Sequence, residues 1–126
     1  MFTANVNQAK VAAHKPYTFM ALPVKIDFLP KKELGVLLGN LTPDKPWAER
    51  QTAARKIGLL GNPKALPALL NALPKDPFWM VRCAIIQALE MIGDARALPM
   101  LQELATTDEF EIVRGYANNA IEKLTQ

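Results

Sequence analysis

Charged and aromatic side chains recur along this 126-residue chain at a spacing that could do chemistry. Asp44, Asp76 and Asp108 stand 32 residues apart, and Arg50, Arg82 and Arg114 follow with the same step. Carboxylates and guanidiniums in one register can pair, because the planar, five-donor fork of Arg matches a carboxylate or a carbonyl. A further column, Lys32, Lys64 and Arg96, repeats at 32 and presents positive charge, and Trp47 and Trp79 share the period. Pairing of the first two columns is structural electrostatics. The third column and the two indoles are of the kind that hold a partner.

Residues suited to bond-making chemistry are few. His14 is the only histidine, so a histidine pair or a zinc site with two histidines is ruled out. Cys83, the only cysteine, lies between Arg82 and Ala84 on an apolar helical pattern, which reads as a small core residue rather than a reactive thiol. The glycines Gly35, Gly39, Gly58, Gly61, Gly93 and Gly115 are dispersed and do not form a phosphate-cradling loop. Glu109 and Glu111 are expected to be charges favoured near a helix N-terminus, not an acid/base pair. No catalytic, metal or cofactor site is expected.

The elements that must position these columns follow from the same period. A repeat of 20 to 50 residues marks a stacked architecture, and here apolar positions step by 32 with the charged ones: Ala53, Ile85, Ala117; Ile57, Leu89, Ile121; Leu60, Ile92, Leu124. Leu34, Leu37 and Leu41 extend the register backwards to match Leu66, Leu69 and Leu73. Within a unit, Phe78, Val81, Ile85, Ala88, Leu89 and Ile92 recur at three and four, one face of a helix. Asp76 and Asp108 are expected to cap such first helices, and Gly61 and Gly93 to end them in the left-handed conformation. Asn62 and Asp94 then cap a shorter second helix, with Pro63 in its first turn, where a missing N–H leaves no bond unmade. The spacing predicts helices over 31–42, 46–60, 64–74, 78–92, 95–106 and 110–124. The fold class is therefore all-α: a short α-solenoid of helical hairpins over residues 31–126, each burying its apolar face against its neighbours. Residues 1–30 stand apart. Pro16, Pro23 and Pro30 bar a continuous helix there, and the stretch reads as a cap over the first repeat or as a partner-binding arm.

Composition sets the remaining bounds. Half the residues are hydrophobic and 21% are charged, which describes a foldable domain. One cysteine and no signal-like N-terminus point to a cytoplasmic setting. The longest apolar runs, such as Ala65 to Leu70, are far short of a membrane span. The net charge of +3 is unevenly placed: residues 1–76 carry 11 basic and 5 acidic side chains, residues 77–126 carry 4 and 7. The acidic half disfavours a nucleic-acid partner, since it would repel phosphate.

At Asp76, Val81-Arg82, Ala84, Ala88-Leu89, Ile92-Gly93-Asp94, Ala97-Leu98-Pro99 and Leu101 the sequence resembles the HEAT repeats, and more closely the HEAT-like repeats named after the phycobilisome lyases of cyanobacteria. The string recurs as Asp44, Arg50, Ala53-Ala54, Ile57, Leu60-Gly61-Asn62, Ala65-Leu66-Pro67 and Leu69. The resemblance implies a ladder in which the Arg of one repeat braces the loop or Asp of the next. It also implies a phycobilisome-linked lyase-type subunit or chaperone, handling a phycobiliprotein or a bilin, as one possible function.

Read together, the residues describe a small non-catalytic adaptor that binds another protein through the surface of its second helices. Lys32, Lys64 and Arg96 open those helices, where positive charge opposes the helix dipole, so the column reads either as a solvated edge or as a contact for an acidic partner. Trp47 and Trp79 read either as packing between first helices or as contact anchors. Ile112, Tyr116 and Ile121 in the last helix are expected to be partly uncovered, which suggests self-association through the C-terminal end or docking on a larger protein.

Overall fold

The computed structural model describes residues 31–126, which form six α-helices: α1 (Lys31–Gly39), α2 (Trp47–Leu60), α3 (Leu66–Ala72), α4 (Trp79–Ile92), α5 (Leu98–Thr107) and α6 (Glu111–Leu124). The expected α-solenoid is the observed architecture. Helices α2, α4 and α6 pack side by side as one layer, while α1 packs on α2, α3 on α4 and α5 on α6. The cap or arm expected over residues 1–30 lies outside the described residues.

Local chemistry accounts for the ends of these helices. Gly61 and Gly93 close α2 and α4 at φ of 65° and 75°, a conformation in which any Cβ is strained. Asn62 and Asp94 accept the backbone N–H of Lys64 and Arg96 at 2.9 Å and so cap the following turns. Those turns, Pro63–Ala65 and Ala95–Ala97, are 3₁₀ rather than α. Pro67 and Pro99 at the second position of α3 and α5 have no N–H to give an α-type bond. Pro74 breaks α3 into a 3₁₀ turn, Leu73–Lys75, whereas Thr106 at the equivalent register lets α5 run on to Thr107.

The aspartates depart from expectation. The residues that precede the first turns of α4 and α6 are Phe78 and Phe110, both extended and without a side-chain cap. Asp76 and Asp108 sit two residues earlier and accept the N–H of Phe78 and Phe110 at 3.0 Å. They organise the turn that feeds the helix rather than its first turn, which leaves the carboxylate facing the neighbouring repeat.

A single apolar cluster runs the length of the stack, from Leu37 to Ala120. Equivalent residues are buried unequally because the units have unequal neighbours. Helix α4 has another first helix on either side, and Val81, Cys83, Ala84, Ile85, Ile86, Ala88 and Leu89 are all buried. Helix α6 buries Val113, Ala117 and Ala120, leaves Tyr116 and Ile121 half-buried, and exposes Ile112.

Between α2 and α4 the approach is close at Gly58, where a Cβ would lie 2.9 Å from the Ala88 Cα. Helix propensity alone favours Ala over Gly by about 1 kcal/mol. The contact reverses that sign, because the atom met is backbone and the two helices must part to admit a methyl group. Gly58→Ala is expected to lower stability by about 1–3 kcal/mol, as overpacking does. Thermal unfolding followed by circular dichroism checks it, and an unchanged or raised midpoint would show that the helices separate freely.

Candidate functional site: the Arg–Asp ladder and the aromatic row

The charged columns meet at the edge of the solenoid where the first helices begin. Arg50 in α2 donates through Nε to Asp76 at 2.8 Å and through Nη2 at 3.1 Å. Arg82 in α4 repeats this on Asp108 with the same two distances. Both pairs are buried and span 26 residues, joining each first helix to the turn before the next. The third donor of each fork turns back on a main-chain carbonyl: Nη1 of Arg50 on Lys45, of Arg82 on Asp76, of Arg114 on Asp108.

Burial alone would raise the Asp108 carboxyl. Hydrogen bonds from Arg82 and the Phe110 N–H, with the charges of Arg82 and Arg114, outweigh it and hold the pKa below the usual carboxylate value. The stabilisation is therefore complete above the unfolded value near 4 and is lost as the pH falls through the lower folded value.

The ladder has two closed rungs and two open ends. Asp44 is exposed and takes a hydrogen bond from the Thr42 hydroxyl, with no guanidinium near it among the described residues. Pro46 stands where Phe78 and Phe110 stand in later units, so position 46 has no N–H to give the Asp44 carboxylate. Arg114 is half-buried and held through Nη1, yet no carboxylate among the described residues meets its Nε and Nη2.

Over this ladder lies an aromatic row in which two phenylalanines join Trp47 and Trp79. Trp47 meets Phe78 edge-on with ring centroids 4.8 Å apart, Phe78 lies 6.2 Å from Trp79, and Trp79 stacks on Phe110 at 6.1 Å and 18°. The Arg82 guanidinium sits 5.8 Å from the Phe110 centroid, within cation–π range. Phe78 and Phe110 are themselves 32 apart, each two residues after a ladder aspartate, and this was the available signal. Trp47 is 45% and Phe110 38% exposed, so the row both packs and faces solvent.

The cation column lies elsewhere. Lys64 and Arg96 follow the C-terminal ends of α2 and α4, at the opposite edge of the stack. A helix of 14 residues separates the two edges by about 20 Å. Arg96 is exposed but closes on Asp94, with Nη2–Oδ2 at 2.6 Å, and the Arg96 hydrogen bonds pull the Asp94 carboxyl down to about 2. Lys64 is exposed, and its register partner is the neutral Asn62. Lys32 lies in the first turn of α1, with its side chain outside the described part. The column is therefore not a uniform ridge, since one of its charges is locally neutralised. Cys83 is buried, and burial pushes its thiol up to about 11, which leaves it protonated at neutral pH. Among the described residues, no three His, Cys, Asp or Glu side chains cluster as metal ligands, and no helix is long and apolar enough to cross a membrane.

Paired helices on a 32-residue step, glycine-closed and tied across units by Arg and Asp, constitute a helical repeat protein. A family model of HEAT repeats matches residues 36–122, and the chain belongs to that family. No curated protein sequence matches the chain.

The ladder makes two predictions. Arg82→Ala strips Asp108 of its buried counter-ion and is expected to cost about 3–5 kcal/mol, more than about 10 °C in a domain of this size, whereas Arg114→Ala costs a fraction of that. Equal melting points for the two variants would remove the ladder as a source of stability. Replacing Asp108 by Asn should flatten the acid limb of the stability curve below about pH 4, while lowering stability at neutral pH. Denaturant titrations across pH 2.5 to 7 are the measurement, with the pH range chosen about the carboxylate pKa.

Proposed function

We propose that this HEAT-repeat protein is a small scaffold that holds another protein against the edge where its first helices begin. HEAT repeats commonly serve as protein-interaction scaffolds, and a stack of hairpins offers an extended surface rather than an enclosed pocket. The observation that carries the reading is the aromatic row. Indole and phenyl rings are the usual energetic anchors of protein interfaces, and here Trp47, Phe78, Trp79 and Phe110 are held by one another and by the buried Arg82–Asp108 pair beneath them. An anchor fixed before binding loses little side-chain entropy when a partner arrives. The exposed indole of Trp47 is the ring with the most free area in the row.

The cation column supports a second reading, a contact for an acidic partner through Lys32, Lys64 and Arg96. Its case is weaker because the Arg96 guanidinium already has a carboxylate. The phycobilisome-linked reading, implied by resemblance alone, puts a phycobiliprotein or a bilin in the partner's place.

Affinity capture with three forms of the full chain separates these readings: wild type, Trp47→Ala, and Lys64→Glu/Arg96→Glu. The aromatic reading expects the partner to survive the charge reversal and to be lost, by at least about tenfold in affinity, with Trp47→Ala. Loss with the charge reversal alone would transfer the site to the opposite edge. Phycocyanobilin added to the same three forms tests the tetrapyrrole reading, for which a shifted absorbance spectrum in wild type is the required result.

A further inference from the structure

Asp44 and Arg114 are the two ladder residues without a ladder partner, and they lie at opposite ends of the described stack. Their state differs from that of ordinary surface charges. The Arg114 guanidinium is already posed as in Arg82, since both donate Nη1 to the carbonyl of the aspartate six residues earlier. What differs is the Nε–Nη2 edge, which in Arg82 grips a carboxylate 26 residues ahead and in Arg114 meets none among the described residues. The position it addresses has the register of Asp44, Asp76 and Asp108. Asp44 is the exposed member of that column.

From this we infer that a second copy of the chain stacks head to tail on the first, with Arg114 of one copy closing a third rung on Asp44 of the next. The order of helices permits it. The described stack presents a second helix, α1, at its head and a first helix, α6, at its tail, so the α1–α2 hairpin of the incoming copy follows α6 in the alternation that α3–α4 and α5–α6 already show. The charges are complementary over a longer range: residues 31–76 carry 8 basic and 4 acidic side chains, against 4 and 7 in residues 77–126. The head offers a shallow groove between α1 and α2, lined by the apolar Leu37, Ala48 and Ala53 and the polar Asn40, Glu49, Thr52 and Lys56. Two different patches meet, so the contact is heterologous and propagates into a longer solenoid unless its rotation closes a ring. The interface uses neither the outer face of Trp47 nor Lys64 and Arg96, and it stands or falls separately from the scaffold reading.

Sedimentation velocity of the full chain, from micromolar to millimolar concentration at low and moderate salt, tests the inference. The wild type is expected to gain mass with concentration, less so at higher salt. Asp44→Arg or Arg114→Asp alone should weaken association at least about tenfold, since like charges then face each other across the rung. Mixing the two single variants should restore assembly, as should the double variant Asp44→Arg/Arg114→Asp, which misfolded chains could not do. A wild type that stays monomeric throughout overturns the proposal. Association that is untouched by either single substitution, or that the mixture fails to rescue, also overturns it.

Discussion

A guanidinium taken out of water is tolerable only if its donors are met, and in this protein that requirement ties each unit to the next. Arg50 and Arg82 are buried with three contacts apiece, two on the carboxylate of the following unit and one on a carbonyl of their own turn. Breaking such a pair strands a charge in the interior, a larger penalty than the net worth of the pair itself. The ladder therefore acts chiefly as a constraint on geometry. A two-pronged contact spanning 26 residues accepts one register of α2 against α4 and of α4 against α6.

The same constraint organises the surface above it. Asp76 and Asp108 each serve an Arg from one side and a Phe N–H from the other, so the turn that carries Phe78 or Phe110 cannot move without disturbing the rung. The rings of Trp47, Phe78, Trp79 and Phe110 inherit that order. A contact surface on loops is usually mobile. Here the turns before α4 and α6 are each tied to the neighbouring unit by a buried ion pair, which suits recognition by a preformed row of rings. At the opposite edge Lys64 and Arg96 have only local partners, through Asn62 and Asp94, and nothing ties one unit's cation to the next.

Repetition in sequence does not produce equivalence in the fold. Asp44, Asp76 and Asp108 share a column, yet the first is exposed and the other two are buried. Arg114 lies in the column of Arg50 and Arg82 and has only one of their three contacts. In a stack each residue's environment is completed by the adjacent unit, so units at the margin of the described stack hold unmet versions of interactions that the middle satisfies. The open carboxylate at one margin and the open guanidinium at the other are consequences of that one-dimensional arrangement.

Much of the architecture was legible because it is written in local chemistry. The 32-residue step, the left-handed glycines Gly61 and Gly93, the capping Asn62 and Asp94 and the early prolines Pro63, Pro67 and Pro99 define where helices begin and end without reference to anything distant. The resemblance to HEAT repeats implied that Arg and Asp of successive units pair; Arg50–Asp76 and Arg82–Asp108 do so, while Asp44 and Arg114 stay open. Distances across the fold were not legible. Whether Trp47 and Lys64 share a surface depends on which end of a 14-residue helix each occupies and which way the chain turns next, and the structure separates them to opposite edges. That Asp76 faces Arg50 rather than capping α4, that Phe78 and Phe110 complete the aromatic row, and that Arg96 is closed by its own Asp94 are likewise outcomes of packing. Periodicity determines which residues are equivalent along the chain, but only the tertiary stack decides which of them have a neighbour, because a buried charge or ring is completed by the unit beside it.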